Sequence, residues 1–230
     1  GNLLEVGAGV PLIKAVNLAA ENGLSGMESL AGVPGTVGGA VRGNAGAFGS
    51  EICACVDSIT AFDCEKLEKV SLKNTECCFD YRSSVFKHNK NLVVVAATFS
   101  LQQGNAEEIK EKVKNTITKR VGSGLHGVRS AGSFFMNPLV ESKDLLDQFE
   151  KDNGSPSRNG KIPAGWIIDQ AGLRGKTIGG AGISDKHANY IVNNGDATAE
   201  DVIILESYIK QQVRDKFGVQ LESEVNHVGF

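Results

Sequence analysis

Residues 30–51 read LAGVPGTVGGAVRGNAGAFGSE, and the rest of the chain has to be read outward from them. Seven of these 22 residues are glycine, against one proline, one basic and one acidic side chain. Glycine loses more backbone freedom on folding than any other residue, so such a concentration needs a cause. Tight turns, close backbone packing, or a ligand drawn against main-chain N–H groups are the three available. The stretch divides into GVPGTVGGA and GNAGAFG, two closely spaced glycine turns nearly devoid of charge. Turns of this kind expose consecutive N–H groups as nests for anionic oxygens, a pyrophosphate among them. Backbone physics alone leaves that reading level with a pair of turns packed against a sheet. Familiar nucleotide signatures do not break the tie. GAGVPL lacks the third glycine of G-x-G-x-x-G, and neither G-x-x-x-x-G-K-[ST] nor G-x-S-x-G occurs.

With 230 residues the chain can build one large domain or two small ones, each with its own core. A net charge of −3 and a pI near 5.9 supply no basic stripe, which argues against nucleic acid and against an anionic membrane surface. Apolar runs such as NLVVVAATF are too short to span a bilayer. No charged-then-apolar leader opens the chain, so no signal peptide is expected. The opening GNLLEVGAGVPL reads as mid-domain sequence, with a natural N-terminal segment expected ahead of it. Five cysteines, Cys53, Cys55, Cys64, Cys77 and Cys78, fall within 26 positions, an odd number with no C-x-x-C pair. That spacing fits no standard zinc site, and reduced thiols without metal are the expectation.

The periodicity predicts a strand over residues 3–10 and then a helix begun by Pro11 and stopped at Asn22-Gly23. Strands follow in VDSITAFDC, EKVSLKN and NLVVVAATFSLQQG, then a helix in NAEEIKEKVKNTITKRV with Asn105 as its cap. Strict βαβ alternation is missing, so the fold class is α+β. The glycine- and serine-rich VGSGLHGVRSAG marks a junction, giving domains 1–120 and 121–230. SFFMNPLV, a polar insertion KDNGSPSRNG, a helix around AGWIIDQAGL, a turn at Arg174-Gly175 and a strand ending in HANYIVNN make up the second. Its longest helix is capped by Thr198, carries Glu200 and Asp201 in its first turn, and ends at Gly218. VQLESEVNHVGF alternates apolar and polar residues and predicts a terminal strand.

Six stretches in order carry a further signal. GLSGMESLAGVPGTVGGAVRGNAGAFGSE, YRSSVFK, SAGSFFMNP, AGWIIDQAGLRG, ISDKHANYIVN and LESEV together resemble the UDP-N-acetylenolpyruvoylglucosamine reductase (MurB) family over almost the whole chain. The resemblance implies a PCMH-type FAD-binding domain whose N-terminal part is missing, followed by a smaller α+β substrate domain. Gly32, Val33, Pro34, Gly35, Thr36, Val37, Gly38 and Gly39 would then serve the FAD pyrophosphate. Asn44, Ala45, Gly46 and Ala47 would lie near the flavin ring. By the same resemblance NADPH reduces the flavin and leaves, and UDP-N-acetylglucosamine enolpyruvate enters the same cavity. Hydride then reaches C3 and a proton reaches C2. A cytoplasmic, monomeric enzyme of peptidoglycan precursor synthesis is implied, with no nucleic-acid or membrane partner.

Three residues match the positions that carry this chemistry. Arg82 would hold the substrate carboxylate, Glu224 would assist there, and Ser133 would donate the proton to C2. Tyr81 and Asn137 would contact substrate. Read from the residues alone, the commonest role of Arg82 is a surface ion-pair partner, that of Ser133 a turn or strand-end residue and that of Glu224 an exposed strand position. His126 and His187 fall on no matched catalytic position. Met136 stands where the family commonly has lysine, with Arg129 or Lys186 as substitutes, and Asn226-His227 where an arginine often follows. Only 51 positions separate Arg82 from Ser133, which implies the shorter, type II form. The rival readings are another PCMH-type flavin oxidoreductase and an inactive, ligand-binding relative.

Overall fold

The computed structural model describes residues 2–122, 124–125, 127–157 and 159–229. Two compact units divide the chain, Gly1–Ser123 and Gly124–Phe230, the division falling inside the glycine- and serine-rich stretch.

The first unit runs β1 (Leu3–Gly7), α1 (Leu12–Glu21), β2 (Leu24–Ser25), α2 (Val37–Arg42), β3 (Gly46–Ala47), β4 (Ser50–Glu51), β5 (Val56–Asp63), β6 (Glu68–Lys73), α3 (Val85–His88), β7 (Leu92–Ser100), β8 (Gln102–Gln103) and α4 (Ala106–Gly122). Its main sheet is antiparallel in the order β1-β7-β5-β6. Alternation puts Ile59 and Ala61 of β5 and Ala97 and Phe99 of β7 on one face. There they join Leu12, Val16 and Ala19 of α1 and Ile109 and Val113 of α4 in a single core. Pro11 is the cap residue of α1 and not its first helical residue, with φ −54° and ψ 131°. Asn105 caps α4 as its sequence suggests, its Oδ1 accepting from the amides of Glu107 and Glu108 at 2.9 and 3.2 Å.

Inside the glycine stretch the structure departs from the expected pair of turns. Residues 37–42 form the helix α2, with the Thr36 hydroxyl accepting from the Gly39 amide at 3.3 Å. Glycine's poor helix propensity hides this element. Tertiary contact supplies what propensity lacks: Val37 and Val41 are fully buried, and Gly38 lies so close to Ala8 that a Cβ there would come within 2.8 Å of the Ala8 Cβ.

The second unit contains β9 (Ser130–Ser133), α5 (Lys143–Asn153), α6 (Ala164–Gln170), β10 (Thr177–Ile178), β11 (Ala181–Ile183), β12 (Tyr190–Asn193) and α7 (Ala199–Phe217). An antiparallel sheet in the order β10-β11-β12-β9 packs with these helices around Phe134, Phe135, Ile167, Ile168, Leu205 and Ile209. The cap of α7 is reciprocal: Thr198 accepts from the Asp201 amide while Asp201 accepts from the Thr198 amide. The polar insertion is shorter than its composition suggests, because residues 151–153 complete α5 before Gly154 ends it in a left-handed conformation.

The predicted terminal strand does not form. Val219 and Leu221 are buried as the alternation requires, yet among the described residues the tail makes only an isolated bridge, Phe135 to Ser223. Alternation reports which side of a segment is buried, not whether a partner strand continues beside it.

Candidate active site

The first unit carries a groove of about 510 Å³ floored by the backbone of Gly9, Gly38 and Gly39 and by Thr36. Arg42 and Lys90 supply positive charge to its lining, and Phe86, Leu92 and Val94 supply apolar surface. A Cβ at Gly9 would meet nothing within 4 Å, and one at Gly39 would meet only the Thr36 hydroxyl at 3.6 Å. The missing side chains at those two positions therefore keep the floor open. A bare backbone floor, two cations and an apolar wall suit a ligand that is anionic at one part and flat or apolar at another.

Of the residues expected against a cofactor, the groove gathers Thr36, Gly38 and Gly39. Pro34 and Gly35 are exposed, while Val37 is buried in the core. Many amides of the segment are already committed: Val33 to Leu30, Val37 to Val10, Gly38 to Ala8, and Gly39 to Thr36. An anion here would be met chiefly by the remaining amides and by the two cations, not by an unbroken nest. Gly32, at φ +77°, serves packing: a Cβ would lie 2.8 Å from Cδ of Arg120, whose guanidinium donates to Ala31 O at 2.7 Å and to Ser29 O at 3.2 Å. Arg42 and Lys90 were not singled out from the sequence. The one available signal was Arg42, the sole basic residue of the glycine stretch.

The second glycine turn is welded to the segment that bears Arg82. Asn44 is fully buried with φ +43°, and its amide donates to Glu51 Oε2 and to Asp80 O, both at 2.9 Å. Its Oδ1 accepts from the Cys53 amide at 3.2 Å. The Asn44 side chain is therefore spent inside the protein; Ala45, Gly46 and Ala47 after it are half-buried, and Phe48 and Gly49 are the exposed residues of the turn. Asp80 and Ser83 bond to each other through both amides, which puts Tyr81 and Arg82 at the tip of a tight turn. Arg82 takes the left-handed conformation there, with φ +55°. Its Nη2 donates to Gly46 O at 3.0 Å, and its guanidinium lies 5.2 Å from the Tyr81 ring. Below the tip, the buried Ser84 hydroxyl donates to Arg42 O at 2.7 Å. Arg82, Tyr81, Gly46 and the end of α2 thus form one fastened assembly.

In the second unit, the expected proton donor and acid sit on paired segments. Ser133 ends β9 and is exposed. The next residue, Phe134, accepts from the Glu224 amide at 2.8 Å, and Met136 donates to Glu222 O at 2.9 Å. Asn189 grips the same segment from the other edge. Its Oδ1 accepts from the Phe135 amide and its Nδ2 donates to Phe135 O, both at 2.9 Å, while Phe134 donates to the Asn189 carbonyl at 2.7 Å. A side-chain amide here stands in for a strand partner. Asn189 lies within the stretch ISDKHANYIVN, but nothing in its composition marks it as a clamp.

Asn137 braces the fold by accepting from the first amide of α6, Ala164, at 3.0 Å. His187 is half-buried, with burial first and the Arg174 charge second pushing its pKa down. Its Nδ1 accepts from the Asn189 amide at 3.2 Å, and its ring meets Tyr190 edge-on. It supports the clamp. His126 lies outside the described residues. Lys186 Nζ donates to Gly124 O at 3.0 Å. Among the described residues no group of His, Cys, Asp and Glu could hold a metal ion, and no helix is long and apolar enough to cross a membrane.

Comparison with known proteins adds independent observations. Residues 1–65 match the model of an FAD binding domain. Residues 123–228 match that of the C-terminal domain of UDP-N-acetylenolpyruvoylglucosamine reductase. A protein of that name from Fervidobacterium nodosum is 40% identical over 222 residues, 96% of this chain and 65% of its own length. One from Anoxybacillus flavithermus is 40% identical over 225 residues, 97% of this chain and 67% of its own. The crystal structure of UDP-N-acetylenolpyruvylglucosamine reductase (MurB) from Thermus caldophilus superposes with a TM-score of 0.74 at 31% identity, covering 97% of this chain and 71% of that one. The chain thus spans about two thirds of the length of the relatives it matches.

Proposed function

The chain belongs to the UDP-N-acetylenolpyruvoylglucosamine reductase family, and from that premise we propose that it carries the reduction of UDP-N-acetylglucosamine enolpyruvate to UDP-N-acetylmuramate in peptidoglycan precursor synthesis. FAD is the resident cofactor, NADPH the electron donor, and a monomer in the cytoplasm the working form. The observation that supports this best is the fastening of the Arg82 turn onto the second glycine turn through Asn44 and Gly46. A cofactor edge lying against residues 45–47 would then have a guanidinium beside it.

The residues present fit the cofactor. The backbone left bare at Gly9 and Gly39 keeps room for a ligand, and Arg42 and Lys90 would balance a pyrophosphate's charge. The chemistry supplied by bound FAD is hydride transfer, from NADPH to C3 of the enolpyruvyl ether. All else falls to side chains of this chain. Arg82 binds the substrate carboxylate as a planar fork and neutralises the negative charge that develops on it as C3 is reduced. Glu224 shares a proton with the same carboxylate, so that two bare anions do not face each other. The Ser133 hydroxyl donates its proton to C2, forming the C–H bond and leaving a serine oxyanion that solvent reprotonates. A hydroxyl is a weak acid, yet the enolate-like carbon it serves is a strong base.

The test separates the two half-reactions under anaerobic conditions in the FAD-loaded, full-length enzyme. Ser133→Ala is expected to leave flavin bleaching by NADPH unchanged and to slow colour recovery with the enolpyruvyl sugar nucleotide by about 10²–10⁴-fold. Equal loss in both steps would remove Ser133 from the chemistry. A wild-type protein that neither bleaches nor recovers would sink the whole reading.

A further inference from the structure

Glu206 is an anomaly of the second unit. It is one of five buried polar or charged residues among those described, only 4% exposed, and the sole charged one of the five. It sits mid-way along α7, where a core-facing helix position would ordinarily be apolar. Its partners explain its retention. Oε1 accepts from Lys210 Nζ at 2.6 Å, one helical turn on, and from the Ser223 hydroxyl through a very short hydrogen bond. Oε2 makes no hydrogen bond of ordinary geometry, but His227 Nε2 lies 2.9 Å from it as an ion-pair contact.

Two of these partners, Ser223 and His227, flank Glu224 in the chain. Around them the backbone has the single bridge of Ser223 to Phe135, made by the two amide bonds that join Glu222 and Glu224 to the 134–136 segment. A tail with so few ladder bonds needs side-chain fastening to hold one conformation, and Glu206 provides it on both sides of Glu224. Burial pushes the Glu206 carboxyl toward its neutral form, yet hydrogen bonds from Lys210 and Ser223 and the charges of Lys210 and His227 outweigh that, so its pKa lies below the ordinary value. The anion is therefore the form that does the holding.

We propose that Glu206 is a positioning residue for Glu224: the buried carboxylate on α7 grips Ser223 and His227 and so presents Glu224 beside the Ser133 segment. This rests on the function proposed above, since it gives Glu224 its task. The clamp predicts behaviour that packing alone does not. A residue acting through Glu224 loses its influence once Glu224 is gone, so the two substitutions should not multiply.

The experiment uses the full-length, FAD-loaded enzyme. Glu206→Gln is expected to slow flavin reoxidation by the enolpyruvyl sugar nucleotide about tenfold or more, while reduction by NADPH stays within about twofold. Amide hydrogen exchange over residues 222–228 should accelerate in the same variant. The double variant Glu206→Gln, Glu224→Gln should reoxidise no more slowly than Glu224→Gln alone. His227→Gln, a change at an exposed site, should shift both readouts in the same direction by less, and it carries the test if Glu206→Gln does not fold. Multiplying effects in the double variant overturn the proposal. So does wild-type exchange in residues 222–228, or faster exchange with an unaltered reoxidation rate. If the wild-type enzyme fails to react with the sugar nucleotide, the function reading falls and the clamp stands or falls on exchange alone.

Discussion

Cys55 and Cys77 are the two buried cysteines, and burial keeps their thiols neutral, raising the pKa to about 12 and about 11 from an ordinary 9.0; the half-buried Cys53 is pushed in the same direction, again chiefly by burial. All five thiols are free, and Cys64 and Cys78 are exposed. Thiolate, not thiol, is the nucleophile. Iodoacetamide at pH 8 should therefore label Cys64 and Cys78 rapidly and leave Cys55 and Cys77 intact until denaturant is added; mass mapping of the alkylated peptides decides it. The same shifts have a sign in stability. Between pH 9 and pH 11 an unfolded chain has lost protons that the folded Cys55 and Cys77 still hold, so stability falls as pH rises through that window. A urea midpoint that rises over that range would contradict the assignment. Residue-level reading of the sequence saw the cysteines as unpaired but could not rank them, because burial is a property of the fold.

α2 is the element on which the glycine question turns. Gly38 and Gly39 are adjacent, both helical, and physically opposite. At Gly38 an added methyl meets the Ala8 Cβ at 2.8 Å and the Ala8 carbonyl oxygen at 3.2 Å, neither of which can swing aside as a flexible side chain would. Alanine gains up to about 1 kcal/mol of helix propensity over glycine, but overpacking costs roughly 1–3 kcal/mol, so the clash wins. Gly39 has no such obstacle, its nearest contact being Thr36 Oγ1 at 3.6 Å. Gly38→Ala is expected to lower the urea midpoint, and Gly39→Ala to hold or raise it while weakening FAD retention through the narrowed groove. Paired denaturation curves and flavin absorbance after gel filtration read both. Equal behaviour of the two variants would mean that α2 does not pack as described. Elements of ordinary composition, α1, α4, α7 and the β5-β6-β7 strands, were legible because their periodicity and caps agree with their tertiary surroundings. α2 and the tail were not. In α2, packing against Ala8 overrides propensity; in the tail, side-chain fastening replaces the ladder that alternation suggests.

At the scale of the molecule, the order of motifs placed Arg82, Ser133 and Glu224 on the chain, but the groups that hold them were invisible in it. Asn44, Asn189 and Glu206 act through contacts to residues 36, 54 and 17 positions away, which no local pattern encodes. The second unit, Gly124–Phe230, has a hydrophobic cluster of its own residues. Phe135, Ile162, Ile167, Ile168, Leu205 and Ile209 are all essentially inaccessible to solvent. A reciprocal cap starts α7 and a left-handed glycine ends it. A fragment of residues 124–230 should accordingly fold alone. The chain's single tryptophan, Trp166, packs edge-on against Phe149 with ring centroids 5.4 Å apart, so its emission reports this core and no other. Urea titration of the fragment should give one sigmoidal transition in Trp166 fluorescence, with a slope of about 1–3 kcal/mol/M. A gradual drift without a midpoint would mean that burying these side chains does not suffice, and that the second core is stable only with the rest of the chain attached.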